Sequence, residues 1–409
     1  MKGYIIGALI LVAGVAVVWV VLGTLLSTTE EAGPRYAVAQ GTYECLLVGG
    51  SGFAGMINTE GFPARRRTEM AYPPSLPPTA HEDTRKFLGS TFRIGIYDMD
   101  KENARRATDA AFDLIYDIVA RLDADNPDSE LSSINGTAAQ KTVDISPELA
   151  SIVKRSLEIA EKSDGALDIT AGPLRRLWEE GVEDGRGPPP EEIRKALRSV
   201  GYKFVELKET GRNKHTLHFT RAGVSLDLDG VIRGFICDDV AWFLRKKQNV
   251  KRGFVRVDNN ITCFIRSKGD RPFSMGIPHS SVAVSGELQT DYIFNTEQTA
   301  VVTKGTFGGY RYMGRVAYYG VIDPRNGAPA KSVSSCTVVG PNTMSCDALA
   351  SAICVEGGQH VRQFIVRFNS DVASAEKSNV LLYLFIIVLV GAGGYGGYRV
   401  YKIVQGKRG

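Results

Sequence analysis

The sequence predicts an α+β protein whose folded part lies between two membrane-spanning helices. Two uncharged, apolar stretches occupy the ends of the 409-residue chain. Between them, segments that alternate apolar and polar residues, as strands do, are mixed with segments whose apolar residues recur every three or four positions, as in amphipathic helices. This mixture of strand and helix patterns is typical of α+β or α/β proteins.

Composition and charge set broad limits on function. With 44% apolar and 23% charged residues, the chain is ordinary for a globular protein with a large core. The net charge of +4 is small, and no Lys/Arg run is interleaved with aromatics, so no nucleic-acid partner is expected. The cysteines lack CxxC spacing, which favours buried thiols over a zinc site or a disulfide scaffold: Cys45, Cys237, Cys263, Cys336, Cys346 and Cys354.

The N-terminal stretch, residues 1–29, is predicted to be a transmembrane anchor. Residues 4–26 are almost wholly apolar, which suffices for the ~20 residues that cross a bilayer. The alternative is a cleaved signal peptide, whose apolar region usually spans only about 7–15 residues before a small-residue site. The longer run here favours the uncleaved anchor.

A second span is predicted at residues 378–403, followed by a basic tail at 404–409. Residues 380–398 are uncharged and precede a cluster of Lys and Arg, whereas Glu30 and Glu31 follow the first span. This distribution predicts cytoplasmic termini and an extracytoplasmic middle. Gly393 and Gly397, four apart, would let another helix approach closely, although a bent helix end explains them equally well.

Residues 30–84 are predicted to form a linker or an extended docking arm. Their Pro and Gly content, dense at 49–52 and 72–78, argues against regular elements. Phe53, Met56, Ile57 and Phe62 are too apolar for a purely solvated tether, so the stretch 33–83 is expected to lie on a partner protein.

The folded domain is expected to span residues 85–370. The predicted strands are 92–97 and 215–220. Three helices are predicted. The first follows strand 92–97 and has an apolar stripe of Ala111, Ile115, Ile118 and Leu122, and the others cover 147–162 and 191–200. Loops are expected at 126–135 and between 170 and 190. Residues 227–234 enter a helix through two glycines, where backbone could approach a phosphate, although ordinary turns are commoner.

The densest polar motif is Cys346-Asp347-Ala348-Leu349-Ala350-Ser351. On a helix, Asp347 and Ser351 lie on one face and can present a carboxylate and a hydroxyl to one hard cation such as Mg²⁺. A solvated helix face is the commoner explanation of that spacing alone. Upstream, residues 320–329 are predicted to run from a strand end into a Pro/Gly turn that could carry polar groups towards this helix.

Five motifs in order resemble the ApbE family of FAD:protein FMN transferases, over residues 85–368. They are Pro127-Asp128-Ser129-Glu130-Leu131-Ser132 with Asn135, Asp164-Gly165-Ala166-Leu167-Asp168-Ile169-Thr170, Thr303-Lys304-Gly305, Gly320-Val321-Ile322-Asp323-Pro324 and Asp347-Ala348-Leu349-Ala350-Ser351. The resemblance implies an ApbE-like, T-fold-like α+β domain.

The resemblance also implies the cofactors, FAD and Mg²⁺, and a reaction. In that family a threonine hydroxyl on a client protein attacks the FMN phosphorus and AMP leaves. By residue matching, the metal ligands would be Asp347, the Ser351 hydroxyl and the Ile232 carbonyl, and Asp323 would lie in the reactive loop. The implied cofactor contacts are Ser129, Glu130, Asn135, Asp164, Gly230, Arg233, Thr303 and Lys304.

The sequence departs from the family pattern where the chemistry is expected. Gly320 replaces the family histidine, so no imidazole is available there to handle a proton. Lys304 replaces a serine, and this bulkier cation could either pair with phosphate or fill the pocket. Asp229 replaces a glycine beside the expected phosphates, where a negative charge weakens pyrophosphate binding unless a metal or Arg233 offsets it. The glycine-rich turn of the family is Asp258-Asn259-Asn260, whose side chains are expected to crowd the flavin side of the site.

Two hypotheses follow. One is an impaired domain that serves as an extracytoplasmic subunit of a bacterial inner-membrane assembly, with a redox or electron-transport complex as the first candidate by analogy. Its partners would be the membrane and complex subunits, bound through the transmembrane helices and the 33–83 arm. The other is an active, Mg²⁺-dependent FAD:protein FMN transferase acting on a membrane client. The departures at Gly320 and Lys304 favour the first.

Overall fold

The computed structural model describes residues 44–48, 54–57, 81–87, 89–265, 273–278, 290–296, 298–305, 311–313, 316–330 and 335–357. All of them belong to one unit, residues 41–369. Both predicted membrane spans, 1–29 and 378–403, lie outside these residues. Within the described ranges, no helix combines the length and the apolar character needed to cross a bilayer.

The strands are numbered in chain order. They are β1 Glu44–Val48, β2 Ala54–Ile57, β3 His81–Phe87, β4 Ser90–Ile96, β5 Val143–Ile145, β6 Val205–Gly211, β7 Lys214–Phe219, β8 Arg252–Val257, β9 Asn260–Ile265, β10 Phe273–Pro278, β11 Thr290–Thr296, β12 Gln298–Gly305, β13 Arg311–Met313, β14 Val316–Tyr318 and β15 Ser335–Gly340.

Among the described residues, eight strands form the main sheet in the order β2-β1-β15-β12-β9-β8-β4-β3. Each neighbouring pair is antiparallel. Smaller sheets form from β5-β7-β6, from β10-β11 and from β13-β14. The main sheet is therefore the base of the fold, and helices pack on one of its faces.

The described α-helices are α1 Lys101–Leu122, α2 Glu130–Thr137, α3 Pro147–Lys162, α4 Gly172–Glu183, α5 Pro190–Leu197, α6 Ile232–Lys246 and α7 Thr343–Glu356. Polar side chains cap several of them. Asp100 accepts hydrogen bonds from the first turn of α1, Ser146 caps α3 and Asn342 caps α7. Such caps satisfy N–H groups that have no partner inside the helix.

Helices α6 and α7 pack on one face of the main sheet and against each other. That face carries alternate residues of the central strands, and their apolar members are fully buried. They include Ile94, Ile96, Phe264, Val302 and Val338. Because α7 itself is buried along nearly its whole length, any polar residue it carries in its middle needs an internal partner.

A second layer lies beyond the two central helices. Helix α3 contacts α7 and also the small sheet strands β6 and β7. At another side, Trp178 of α4 packs with Met313 and Tyr318 of the β13-β14 hairpin. The Trp178 and Tyr318 rings stack with centroids 5.7 Å apart. This small cluster supports the loop that follows β14.

Most predicted elements are confirmed, and three are corrected. The helix at 147–162 matches α3, and the strands and the helix at 191–200 agree with β4, β7 and α5 within a few residues. The predicted loop 126–135 is wrong in its second half, because Ser129 caps a helix that begins at Glu130. The expected loop before Pro190 contains α4, whose buried Trp178 and Leu174 outweigh its glycines and charges.

The segment 30–84 also contains strands that its composition did not indicate. Strand β1 pairs with β15, and β2 pairs with β1, at one edge of the main sheet. Backbone hydrogen bonding to an open sheet edge explains this, because pairing at an edge places few demands on side chains. The expectation of no regular elements is therefore wrong for these nine residues and for 81–84, the first four residues of β3.

Candidate functional site

Asp347 is the centre of the candidate site. Its side chain is completely buried, at 0% exposure, in the middle of α7. One carboxylate oxygen, Oδ2, accepts a hydrogen bond of 3.0 Å from the backbone N–H of Gly234 in α6. A buried carboxylate held in this way still needs a positive partner for its charge.

That partner is Lys304. Its ammonium nitrogen lies 2.8 Å from Asp347 Oδ1, and the lysine side chain is only 17% exposed. Lys304 reaches the carboxylate because β12 lies under α7, and alternate residues of β12 face the helix. Oδ2 of Asp347 therefore has a hydrogen-bond donor, whereas buried Oδ1 has the Lys304 ammonium close by as an ion-pair partner but accepts no hydrogen bond from the described residues.

The Ser351 hydroxyl lies one turn further along α7, as the helical spacing predicts. Its Oγ lies 2.9 Å from the carbonyl oxygen of Asp347 and 3.2 Å from that of Gly230. A Cβ atom on Gly230 would lie 3.4 Å from Ser351 Oγ, so the turn and the helix are in close contact. Ile232 follows as the first residue of α6. Asp347 and Ser351 are thus brought to one junction with the segment 230–234, which contains Ile232.

Gly234 has a packing role at this junction. A Cβ atom built there would lie 2.5 Å from the carbonyl oxygen of Thr343 and 2.6 Å from Met344 Cα. The two helix starts therefore touch backbone to backbone, and Asp238 of α6 accepts hydrogen bonds of 2.9 and 2.8 Å from the N–H groups of Thr343 and Met344. The predicted approach to phosphate is not needed to explain this glycine.

Arg233 joins two acidic side chains beside the junction. Its Nη1 donates to Asp229 at 2.8 Å and its Nε to Asp258 at 3.2 Å. The neighbouring Asp229 carboxylate raises the pKa of Arg233 above its ordinary value. Asp258 takes the left-handed backbone, with φ of 51°, where the family turn has glycine, a conformation that Asp tolerates better than most residues.

Asn259 and Asn260 follow at this turn. Asn259 accepts the N–H of Thr303 through its carbonyl at 3.2 Å. Asn260 is buried, at 4% exposure, as the first residue of β9. Thr303 points away from the junction, since residue alternation places it opposite Lys304, and its hydroxyl pairs with that of Thr337 at 3.0 Å. Of the Thr303–Lys304 pair, Lys304 alone reaches Asp347.

Two charged residues of the site were not singled out by sequence reasoning. Asp227 accepts the backbone N–H of Asp229 at 3.0 Å and lies 3.3 Å from Nε of Arg175 in α4. Burial, with repulsion from Asp229, raises the pKa of Asp227 to about 6 despite the opposing effect of Arg175. The two aspartates just before Gly230 were the sequence feature that could have indicated Asp227 as a site residue. Arg175 lies about 50 residues earlier, so the sequence alone gave no reason to pair it with Asp227.

The reactive-loop carboxylate, Asp323, is fully engaged within its own turn. Oδ1 accepts from the backbone N–H of Arg325 at 3.0 Å and from its Nε at 2.9 Å. Oδ2 accepts from Arg325 Nη2 at 3.0 Å and from Asn326 at 2.9 Å. Arg325 also pairs with Glu356 at the end of α7. The turn is thereby anchored ~13 Å along the helix from Asp347.

Gly320, at the position of the family histidine, has space around it. A Cβ atom built there would meet none of the described atoms within 4 Å. Its φ of 94° lies in the left-handed region that favours glycine. The loop backbone has thus adapted to glycine, and the structure brings no imidazole of the described residues to this position.

The remaining predicted cofactor contacts make internal bonds. Ser129 caps α2, and Glu130 accepts the N–H of Ser146 at 2.6 Å. The Asn135 amide exchanges two hydrogen bonds with the backbone of Leu226, of 3.0 and 2.7 Å, which positions the turn that leads to Gly230. Asp164 is exposed at a tight turn with φ of 48°. Contacts of these residues with FAD stay predictions.

The donor set does not fit magnesium as it stands. A divalent cation would need the carboxylate oxygen that Lys304 holds, and two positive groups cannot share it without strong repulsion. Weak binding of Mg²⁺ through Asp347, Ser351 and the Ile232 carbonyl stays a prediction, and the position of Lys304 counts against it.

The fold and the junction together define a flavin-transferase-like α+β domain, with a buried aspartate and a serine one helical turn apart beside a glycine turn. The family model of the ApbE family matches residues 88–374, well over half of the chain, and the chain belongs to that family.

Sequence identity to individual relatives is modest, but the alignments cover most of the chain. The chain is 25% identical over 307 residues to the FAD:protein FMN transferase of Haemophilus influenzae, covering 74% of this chain and 85% of the relative. It is 27% identical over 284 residues to that of Treponema pallidum, covering 66% and 77%. The solved ApbE protein of Thermotoga maritima superposes with a TM-score of 0.62 at 26% identity, over 71% of this chain and 91% of that one.

A further solved structure is a histidine-to-glycine mutant of the flavin transferase ApbE from Vibrio cholerae. It has a TM-score of 0.58 at 24% identity and covers 73% of this chain and 91% of its own. At this identity the likeness shows the shared fold.

Proposed function

We propose that this chain is an ApbE-family domain in which transfer of FMN is slow or absent, and that it serves as an extracytoplasmic accessory subunit of a membrane redox assembly. The observation that carries the proposal is the state of the reactive loop. Gly320 supplies no proton acceptor, and the oxygens of the loop carboxylate, Asp323, already accept from Arg325 and Asn326. A general base typically contributes a factor of about 100 to 10,000.

Charge beside the loop supports the proposal. The ion pairs of Arg175, Arg233 and Lys304 contain three cations and six carboxylates, those of Asp125, Glu179, Asp227, Asp229, Asp258 and Asp347. A pyrophosphate, which is itself negative, would meet a surplus of negative charge unless another cation accompanied it. Weak binding of FAD is therefore expected along with slow chemistry.

The subunit role rests on the ends of the chain. The two apolar stretches, residues 1–29 and 378–403, and the 33–83 arm would attach the domain to a membrane and to other subunits. A domain that makes no product can act by holding partners together.

The second candidate is an active FAD:protein FMN transferase. Its support is that Asp347, Ser351 and the Gly230 turn lie together, with Ser351 Oγ 3.2 Å from the Gly230 carbonyl. The relatives that carry that name make this the activity to test first.

The test is a flavinylation assay on the full chain in detergent, with FAD, Mg²⁺ and a threonine-containing client peptide. Peptide mass and in-gel flavin fluorescence report transfer, and the Vibrio cholerae flavin transferase serves as the positive control. We expect a rate below the control by at least the general-base factor of about 100. A wild-type rate comparable with the control would overturn the proposal.

Matched variants locate the defect. Gly320→His restores the imidazole, and Gly320→Ala is its control, because both side chains carry the same left-handed strain of roughly 1–2 kcal/mol. In a Lys304→Ser background, transfer is expected from Gly320→His and not from Gly320→Ala. Equal rates in the two variants would mean that the missing imidazole is not the cause.

A further inference from the structure

We infer that Lys304 is the resident cation of this site and replaces a divalent metal, so that the folded protein neither needs nor binds Mg²⁺ at Asp347. The inference concerns how the buried carboxylate is neutralised, and it goes beyond whether FMN is transferred. It rests on one ion pair and its surroundings, the contact of Lys304 Nζ with Asp347 Oδ1 at 2.8 Å.

The first step of the argument is burial. Asp347 has 0% side-chain exposure, and an isolated ionised carboxylate is very costly in such a place. Its second oxygen accepts one backbone N–H, from Gly234, which stabilises the charge without cancelling it. A positive group must therefore accompany Asp347 whenever it is ionised, and a metal or a lysine can fill that role.

The second step is geometry. Lys304 reaches Asp347 from β12, a strand packed directly beneath α7, and its side chain is only 17% exposed. The ammonium is thus enclosed with the carboxylate. Its single positive charge balances the single negative charge of Asp347, whereas a divalent ion at the same oxygen would have to expel the lysine first.

The third step is the other donor. The Ser351 hydroxyl, which would complete a metal site, lies within hydrogen-bond distance of two backbone carbonyls, those of Asp347 and Gly230. The hydroxyl has a single proton, so it can donate to only one of these carbonyls at a time. Neither contact involves a cation. When it donates to the Gly230 carbonyl, the hydroxyl joins α7 to the glycine turn, and this structural role needs no metal.

The experiment compares the wild type with two single variants in full-length, detergent-solubilised protein. Lys304→Ser removes the cation and leaves a small hydroxyl with space for an ion. Lys304→Met removes the cation but keeps the length of the side chain, and it offers no oxygen ligand. Thermal unfolding is measured in EDTA and in about 10 mM MgCl₂, a concentration chosen to exceed a weak dissociation constant about 100-fold.

We expect the wild-type melting temperature to be the same in EDTA and in Mg²⁺. Both single variants should melt roughly 10 °C lower in EDTA, because the buried carboxylate has lost its partner. Mg²⁺ should restore roughly 5 °C to Lys304→Ser and nothing to Lys304→Met. A wild type stabilised by Mg²⁺, or a Lys304→Ser variant as stable as the wild type in EDTA, would overturn the inference.

Two additions keep the test decisive if a single variant does not fold. The double variant Lys304→Met with Asp347→Asn removes both charges and should recover most of the lost stability. The wild type and the Asp347→Asn variant are also titrated with Mn²⁺, and bound ion is measured by electron paramagnetic resonance. The two proteins should bind the same amount of Mn²⁺, because the wild type holds no ion at Asp347. An ion bound to the wild type through Asp347 would refute the inference.

Different experimental results would contradict this inference and the proposed function. Transfer of FMN by the wild type that persists in EDTA would contradict the proposed function and support the lysine as the cation. A wild type that does not transfer FMN but gains thermal stability with Mg²⁺ would contradict the inference and leave the proposed function standing.

Discussion

The contact between α6 and α7 makes Gly234→Ala the sharpest test of how the site is held together. In most helices this change stabilises, by up to about 1 kcal/mol, because Ala has the higher helix propensity. Here the added Cβ would lie 2.5 Å from the Thr343 carbonyl oxygen and 2.6 and 2.8 Å from Met344 Cα and N. All three neighbours are backbone atoms, so no side chain can rotate away.

The magnitude follows from what must move. The two helix starts must separate by about 0.5–1 Å to reach ordinary contact distance. Overpacking of this kind costs about 1–3 kcal/mol. The separation also stretches the 3.0 Å hydrogen bond from Gly234 N to Asp347, a bond to a charged group worth about 1.5–3 kcal/mol. After the gain in propensity, we expect a net loss of about 2–4 kcal/mol.

Urea unfolding followed by circular dichroism measures this loss. Gly136→Ala in α2 is the matched control, because a Cβ atom there meets none of the described atoms within 4 Å. That variant should be neutral or slightly more stable than the wild type. The reasoning would be refuted if Gly234→Ala unfolded at the same urea concentration as the wild type with an unchanged denaturant slope.

Two further predictions concern the same framework. Burial raises the pKa of Asp238 to about 6 even though N–H groups at the start of α7 oppose this, so the folded state binds its proton more tightly than the unfolded state. The contribution of Asp238 to the unfolding free energy should therefore fall by at most ~3 kcal/mol as pH rises from about 4 to about 6. Asp238→Asn should make the pH slope in urea titrations shallower, and the slope that remains includes Asp227, whose pKa is also raised to about 6. Trp178→Phe removes the 2.8 Å hydrogen bond to the buried Gly327 carbonyl, and it should cost about 1–3 kcal/mol in the same assay; an unchanged midpoint would show that Trp178 does not hold the reactive loop.

The sequence was sufficient for several of the regular elements and for the Asp347 and Ser351 side of the site. Apolar periodicity predicts α3 within its observed ends, and the four-residue spacing places Asp347 and Ser351 on one face of α7. These features depend on local geometry, so a single sequence contains them. Helices α2 and α4 were missed because their polar or glycine-containing sequences resemble loops. The Ser129 cap and buried Leu131 and Ile134 support α2, and buried Leu174 and Trp178 support α4.

The pairing of Lys304 with Asp347 could not be predicted from spacing. The pairing depends on the register of β12 against β15 and on the packing of α7 over the sheet face that carries Lys304. Both are contacts between residues that are far apart in sequence. The sequence indicated a bulky cation at an unusual position without indicating whether it pairs with phosphate or fills the site. Likewise, a glycine such as Gly234 looks the same in sequence whether it faces a phosphate or a second helix.

The proposed role as an accessory subunit is tested most directly by what accompanies the protein when its membrane is dissolved gently. The full chain would be extracted in mild detergent, purified through a terminal tag, and examined by native mass spectrometry and flavin absorbance. We predict colourless protein in a stoichiometric complex with other membrane subunits. Yellow, FAD-bearing protein that runs alone would contradict the account.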